Sequence, residues 1–254
     1  MRHHEEEVMG TIVTFDLFDD RGFHDPAVED AFASAADFLH QVDEVFSLWK
    51  SESPLSRWRR GEIDLIDAPG EIAEVLERCR VAVEASGGWF DPWSAPGGVD
   101  PTGYVKGWAA QGALRRLARL GTRGAIVNAA GDVAVTGSPS GTDPFQVGIV
   151  NPFHTSSLAC VVRVRDAIAT SGDYERGPHL FNPFTGDFTT QYASATVCGP
   201  DLGFADAMAT ALVVGGDPVM ELIEDLEGYE ALGIRRNRTW EITPDFEVAS
   251  EVAL

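Results

Sequence analysis

Residues 124–137, GAIVNAAGDVAVTG, decide the fold class, because apolar side chains alternate on both sides of a short central turn. This period of two predicts strands at residues 125–128 and 133–136. The intervening residues 129–132 form either a plain hairpin turn or a point where the backbone approaches a ligand closely. The same alternation predicts the remaining strands, at residues 9–18, 145–149, 158–164 and 193–198 and near Ile234 and Trp240.

Helical spacing of apolar residues separates many of these strands. Asp25 and Pro26 form an N-cap and first-turn pair that opens a long amphipathic helix reaching Phe46. Further helices are predicted from Pro69 to the stop at Gly87, and at residues 106–120, 204–214 and 218–227. No low-complexity linker interrupts the chain, which favours two closely packed α/β halves over domains on a tether.

The chain carries a strong negative charge, with a formal net charge of −21 over 254 residues. That sign opposes the phosphate backbone of nucleic acids and an anionic membrane surface. We therefore expect no nucleic-acid partner. A phosphate-bearing ligand meets the same repulsion, so its binding needs a local positive site or a metal ion.

Cysteine usage and the N-terminal residues predict a cytoplasmic protein. Cys79, Cys160 and Cys198 are far apart and lack the spacing of a zinc site or a disulfide framework. Residues 1–7 lack the basic and apolar regions of a secretory signal. No apolar run reaches the roughly 20 residues that span a bilayer, so no membrane association is expected.

Residues 205–210, ADAMAT, lie in a predicted helix that places Asp206 and Thr210 four residues apart on one face. A carboxylate and a hydroxyl together suit a hard cation such as Mg²⁺ or Ca²⁺, which could bridge to a diphosphate. An Asp with a Thr one turn later is also common on solvated helix faces. The pair alone does not decide between these interpretations.

Two further segments offer groups for an anionic ligand. Residues 100–107, DPTGYVKG, enter a predicted helix and present backbone amides and Lys106, although an ordinary turn with a surface lysine explains them as well. Residues 169–174, ATSGDY, suit a flavin edge or a phosphate, or form a polar turn. His179, near Asn182, could act as a general base, whereas an isolated histidine is more often structural.

In order and spacing, these segments together resemble the ApbE family of FAD:protein FMN transferases. Residues 100–107 are similar to its DLGGIAKG motif, 128–133 to NxGGDI, 179–186 to HIIDPxTG and 205–210 to ADAxAT. The other matching positions are residues 9–11, Phe46, Ser47, Ser53, Ser56, 90–92 and 170–172. The resemblance runs from about residue 9 to residue 216, and residues 217–254 add a helix and short strands.

The resemblance implies a T-fold-like α+β architecture with mainly antiparallel sheets, as one FAD-binding domain over residues 1–254. It implies FAD as substrate, Mg²⁺ as metal ion, and an acceptor protein. A threonine hydroxyl of the acceptor attacks the FMN-side phosphorus of FAD, and AMP leaves. The implied metal ligands are Asp206, Thr210 and the backbone carbonyl of Val105.

The candidate catalytic residues are His179 as base, Lys106 at the diphosphate and Asn182 as a hydrogen-bonding group. The resemblance also implies a set of flavin-binding positions spread along the chain. These are Met9, Gly10, Thr11, Asp91, Gly103, Lys106, Gly131, Asp132, Thr170, Ser171, Gly172 and His179.

The chain departs from the family pattern at three places. Only residues 91–99 stand where the family carries a longer insertion, Asn182 stands where an Asp is frequent, and Ala130 replaces a glycine. Two alternatives to the transferase therefore stay open. One is an FAD pyrophosphatase, in which water replaces the acceptor hydroxyl, and the other is a protein that binds FAD without catalysis. The sequence does not give the oligomeric state.

Overall fold

The strands form two antiparallel sheets in a computed structural model that describes residues 1–19, 25–173, 180–188 and 190–251. The strands are β1 (Arg2–Val8), β2 (Thr11–Phe18), β3 (Gly124–Ala129), β4 (Asp132–Gly137), β5 (Phe145–Val150), β6 (Leu158–Val164), β7 (Ala167–Gly172), β8 (Tyr192–Gly199), β9 (Glu230–Arg235), β10 (Trp240–Ile242) and β11 (Val248–Glu251). One sheet has eight strands in the order β1-β2-β3-β4-β7-β8-β9-β10, and the other has the order β11-β6-β5.

The helices lie mainly on one side of the larger sheet. They are α1 (Pro26–Phe46), α2 (Pro54–Arg59), α3 (Gly70–Ala85), α4 (Thr102–Ala118), α5 (Leu202–Gly215) and α6 (Asp217–Glu224). Asp25 caps α1 by accepting a hydrogen bond from the Ala27 amide at 3.0 Å, and Pro26 follows it, which confirms the predicted start. Within the described ranges, no helix combines the length and apolarity needed to cross a membrane.

The larger sheet separates two hydrophobic cores. In β4, Ala134 packs in the core shared with the helices, whereas Val133 packs against the smaller sheet. In β7, Ala169 faces the helices and Ile168 faces the smaller sheet. Because successive side chains of a strand point to opposite faces, this alternation assigns a face to the neighbouring residues as well.

A stagger between strands creates a corner at one edge of the larger sheet. Among the described residues, β7 pairs with β4 through residues 167–168 opposite residues 133–134. Residues 170–172 therefore extend past Asp132, the first residue of β4, while they stay paired with β8. We call this corner the step.

The predicted α+β class and antiparallel sheets are confirmed, but the N-terminal strand differs from the prediction. Residues 2–8 form β1, which the sequence did not predict as a strand, and β2 begins at Thr11 rather than at residue 9. Met9 and Gly10 form the intervening turn, with φ of 54° and 70°. Two residues with positive φ are typical of a two-residue hairpin, which explains the shift.

Two segments that bear on the site also differ from the prediction. α4 begins at Thr102, one turn before the predicted start at residue 106, because Asp100 accepts hydrogen bonds from the Thr102 amide at 3.0 Å and hydroxyl at 2.6 Å. Residues 170–172 belong to strand β7 and are not a polar turn. Pairing of Thr170 with Thr196 and of Gly172 with Ser194 holds them extended, so tertiary pairing overrides their weak local signal.

Candidate functional site

Asp132 is a fully buried carboxylate at the step. It lies two residues before Ala134 in β4 and therefore faces the helices. Lys106, in the second turn of α4, forms an ion pair with Asp132 Oδ2. The other oxygen, Oδ1, is buried without a hydrogen-bond partner among the described residues. A buried carboxylate needs a cation nearby, so Asp132 fixes the position of Lys106.

Helix α5 brings a second carboxylate to the same ammonium group. Asp206 is only 4% exposed, and its Oδ2 lies 4.0 Å from Lys106 Nζ. The interpretation of Asp206 as part of a solvated helix face is therefore wrong. The reason is that most of α5 is buried between the larger sheet and α4, as expected of a helix that is apolar on nearly all sides.

One turn further along α5, Thr210 reaches strand β7. Its Oγ1 lies 3.1 Å from Ser171 Oγ, and Ser171 faces the helices because it is two residues after Ala169. Asp206 and Thr210 share one face of α5, since they are four residues apart. The structure thus brings these predicted residues to the step: Lys106, Asp132, Ser171, Asp206 and Thr210.

Two glycines set the distance between α4 and α5. A Cβ atom at Gly107 would lie 2.5 Å from the Leu202 carbonyl oxygen, and one at Gly203 would lie 2.7 Å from the Tyr104 ring. A larger residue at either position would push the helices apart. The close approach keeps Lys106 of one helix within reach of the Asp206 carboxylate of the other. Gly107 ends the motif segment 100–107, but neither glycine was predicted to space the helices, because the contact partner is known only once the helices are placed.

A hydrogen-bond network fixes the beginning of α5. Asp201 caps the helix by accepting from the Phe204 amide at 2.9 Å, and it also accepts from the Tyr104 hydroxyl at 3.2 Å. Arg78 of α3 donates to the other carboxylate oxygen at 3.3 Å. Burial raises the pKa of Tyr104, which keeps its hydroxyl protonated as a donor. The sequence signal for this cap is an Asp directly before an apolar helix.

Of three other predicted positions, Thr170 and Asp91 have their side chains engaged elsewhere, and Gly103 has none. Thr170 faces the smaller sheet, where its Oγ1 lies 2.9 Å from Thr196 Oγ1. Asp91 caps a short 3₁₀ turn by accepting from the Trp93 amide at 2.9 Å. Gly103 lies in the first turn of α4. Because the Thr170 side chain points to the smaller sheet, only its backbone could contact a ligand on the helix side.

The predicted turn positions lie at the same edge of the sheet. Met9 and Gly10 join β1 to β2, and Thr11 begins β2. Gly131, with φ of 94°, lies in the turn between β3 and β4, where its amide donates to Asn128 Oδ1 at 2.8 Å. Because β2 and β3 are antiparallel neighbours, both turns lie beside the step.

His179, the candidate base, lies outside the described residues. Asn182 is buried, and its Oδ1 accepts from the Phe184 amide at 3.0 Å and the Thr185 amide at 3.3 Å. The backbone N–H of Asn182 also donates to the backbone carbonyl of Asp187 at 2.8 Å. These contacts shape the loop at residues 182–187, and a catalytic role for Asn182 stays a prediction.

The step offers oxygen ligands to a cation. Among the described residues, no group of three or more His, Cys, Asp or Glu side chains is placed to hold a metal ion. The step instead combines the Asp132 and Asp206 carboxylates with the Ser171 and Thr210 hydroxyls, and Val105 lies one residue before Lys106 in α4. Hard oxygen donors of this kind fit Mg²⁺.

The fold and the step define an α+β protein with an ionic, oxygen-rich site between two helices and a sheet edge. Solved structures share this fold. The flavin transferase ApbE from Vibrio cholerae matches with a TM-score of 0.81 and 18% identity, covering 99% of this chain and 97% of that one. The ApbE protein from Thermotoga maritima matches with a TM-score of 0.79 and 19% identity, covering 96% and 97%. These similarities confirm the predicted ApbE architecture.

Sequence comparison gives the family. The sequence model of the ApbE family matches residues 9–98 and 94–233, which is most of the chain. An FAD:protein FMN transferase from Rhodobacter capsulatus is 34% identical over 128 residues, or 47% of this chain. The match spans 24% of the length of that curated relative. The chain belongs to the ApbE family.

Proposed function

We propose that the chain transfers FMN from FAD to a threonine of an acceptor protein, with Mg²⁺ bound and with release of AMP. It works as one FAD-binding domain over residues 1–254, in the cytoplasm, without a nucleic-acid or membrane partner. The observation that carries the proposal is the meeting of Lys106, Asp132 and Asp206 at the step of an ApbE-family chain.

The local charge explains why a cation and a phosphate ligand would bind together. One ammonium lies between two carboxylates, so the three ionised groups carry a net negative charge. This charge repels a diphosphate, and a divalent cation reverses its sign. We propose Asp206, Thr210 and the Val105 carbonyl as the groups that would hold Mg²⁺. When bound, the ion neutralises diphosphate charge.

The proposed reaction is a displacement at phosphorus. The acceptor threonine oxygen forms a bond to the FMN-side phosphorus, the bond from that phosphorus to the bridging oxygen breaks, and AMP leaves with that oxygen. The threonine proton passes to a base, for which His179 is the candidate. Lys106, held at Asp132, orients an anionic oxygen of the diphosphate. Asn182 supports the loop that follows His179.

The experiment measures AMP release and covalent flavin together. The chain is incubated with FAD and Mg²⁺, with or without candidate acceptor proteins encoded beside it. AMP is quantified by chromatography, and flavin on protein is detected by in-gel fluorescence and mass. Asp206→Asn should abolish both signals. Glu221→Gln, which removes an exposed carboxylate on α6, is the matched control and should leave both unchanged.

The outcomes separate the three functions. AMP that appears only with an acceptor, together with a flavinylated threonine, supports the transferase. AMP release without any acceptor favours the pyrophosphatase and contradicts the transferase. Tight FAD binding with neither AMP nor flavinylated protein identifies a protein that binds FAD without catalysis.

A further inference from the structure

The smaller sheet ends in a strand whose outer edge is unpaired in the part of the chain that the structure describes. β5 pairs with β6 along one edge only, since the order of that sheet is β11-β6-β5. The backbone N–H of Arg163 in β6 donates to the Glu247 carbonyl at 3.0 Å, so Arg163 directs its backbone polar groups away from β5. Gln146 is opposite Arg163, and in such an antiparallel pair both residues turn their N–H and C=O groups outward. Gln146, and Gly148 two residues later, therefore present backbone donors and acceptors at the open edge, and both residues are exposed.

β5 also lacks the charges found on the other sheet edges. Residues 144–162 contain no Asp, Glu, Lys or Arg, although charged residues make up 23% of the chain. The other strands at the sheet edges, β1, β10 and β11, each include at least one charged residue. Charged side chains on an edge strand oppose pairing with another chain, so β5 is the edge where such pairing is least opposed.

The residues of β5 are self-complementary about Val147. When two antiparallel copies of β5 pair around a two-fold axis at Val147, Gln146 of each copy lies opposite Gly148 of the partner subunit. These are the two positions with outward backbone groups, so each such pair can exchange both of its hydrogen bonds. The two Val147 side chains face each other as a β-branched cross-strand pair, a combination that stabilises sheets.

The same pairing would cover an exposed leucine beside the edge. Leu158 of β6 is 39% exposed and lies over Gly148, where a Cβ atom would come within 2.7 Å of Leu158 Cδ1. In the paired arrangement, Gln146 of the partner subunit lies opposite Gly148 on the same face of the sheet, and its aliphatic part can contact Leu158. Glycine at position 148 thus leaves room for Leu158 and for the glutamine of a second copy.

We propose that two copies of this chain associate through β5, which joins their three-stranded sheets into one continuous sheet with a two-fold axis at Val147. A net charge of −21 opposes the approach of two copies, and the uncharged edge of β5 is where that repulsion is weakest. Backbone hydrogen bonds supply the attraction, as they do when an extended segment adds to a sheet edge. Association through β5 would not require the proposed reaction.

The test measures the mass of the full chain and the protection of its β5 edge. Light scattering after size exclusion, over a range of protein concentration, should give twice the chain mass for the wild type at high concentration. Amide exchange followed by mass spectrometry should show protection of residues 144–151 that increases with protein concentration.

Three variants at Gln146 separate the backbone from the side chain. Gln146→Pro removes an outward N–H from each copy and should raise the dissociation constant of the dimer by about tenfold or more, the scale of two lost hydrogen bonds. Gln146→Glu keeps every backbone group, so it covers the case in which proline disturbs β5. Its like charges on the paired strands should weaken association at low salt, with recovery as salt rises. Gln146→Thr keeps the N–H and an uncharged side chain, so it is the matched control and should dimerise as the wild type does.

Other outcomes overturn the inference in distinguishable ways. A wild type that stays monomeric at every concentration refutes self-association. A dimer that is unaffected by Gln146→Pro and Gln146→Glu, or whose residues 144–151 exchange at the same rate at all concentrations, has its interface elsewhere. A monomeric wild type that gains protection at residues 144–151 only when an acceptor protein is added assigns the edge to a strand of the acceptor instead of a second copy.

Discussion

Replacing Gly107 with alanine tests whether the close approach of α4 and α5 sets the geometry of the site. The new Cβ would lie 2.5 Å from the Leu202 carbonyl oxygen and 2.9 Å from Gly203 Cα, whereas ordinary contact begins at 3.4 Å. Both opposing groups are backbone, so no side chain can rotate away. The two helices must therefore separate by several tenths of an ångström.

The structure allows an estimate of the cost. Overpacking of this kind costs about 1–3 kcal/mol, and the rigid backbone partners place Gly107→Ala in the upper part of that range. Alanine gains about 1 kcal/mol over glycine in a helix interior. The net loss of stability should be about 1–2 kcal/mol, or a fall in Tm of about 2–8 °C for a chain of this size. Activity should fall by about tenfold or more, because Lys106 and Asp206 are on the separating helices and small misplacements are costly.

The assay combines denaturant unfolding with the AMP-release measurement. Gly70→Ala is the matched control, because Gly70 begins α3 and a Cβ atom there would meet no other atom within 4 Å, so alanine should be tolerated without loss. Stability and AMP release equal to the wild type in Gly107→Ala would refute the idea that this contact spaces the site. A loss of stability with full activity would show that the spacing matters for folding alone.

Three further perturbations have defined outcomes. Lys106→Met should destabilise the fold by about 3 kcal/mol in denaturant unfolding, because it leaves Asp132 buried without its cation, and Asp132→Asn in the same chain should restore at least half of the loss. Burial raises the pKa of Cys198 to about 12, so at pH 8 its thiol should react with a disulfide reagent far more slowly than a free cysteine, as peptide mass would show. The pKa of Glu6 is lowered from 4.5, chiefly by the His40 hydrogen bond, so its stabilisation is present above that pH and lost as pH falls through the lower folded value. The difference in unfolding free energy between the wild type and Glu6→Gln should shrink as the pH falls below 4.5.

Local signals predicted much of the fold. The alternation in residues 124–137 gave the β3–β4 hairpin, and Asp25 with Pro26 gave the start of α1. Strand β1 was missed because residues 2–7 are all polar, and alternation is visible only when apolar residues mark one face. In the structure, His4 stacks on Phe15 and Phe32 at 5.6 and 5.3 Å between ring centroids, so a histidine occupies a position usually held by an apolar residue.

The sequence suggested candidate residues for the site one by one, but not the contacts between them. The four-residue spacing of Asp206 and Thr210 predicted that they share one helix face. The order of the motifs along the chain suggested that Lys106 belongs to the same site. The ion pair between Lys106 and Asp132 depends on the packing of α4 against β4, which is a tertiary contact and not a property of either segment. Thr170 and Ser171 are adjacent in the chain, yet only Ser171 faces the helices, because strand alternation separates them.

The balance of charge at the step gives a physical reason for an acidic protein to handle a phosphate ligand. A lysine alone would attract phosphate without discrimination, whereas Lys106 lies between Asp132 and Asp206 and has little charge to spare. Phosphate affinity then depends on a divalent cation, so the dinucleotide and the ion should bind cooperatively. By linkage, Mg²⁺ should raise FAD affinity by the same factor by which FAD raises Mg²⁺ affinity, and both factors should fall toward one in Asp206→Asn. An acidic surface would also disfavour phosphate-rich competitors such as nucleic acids, so the site would accept phosphate mainly with the ion.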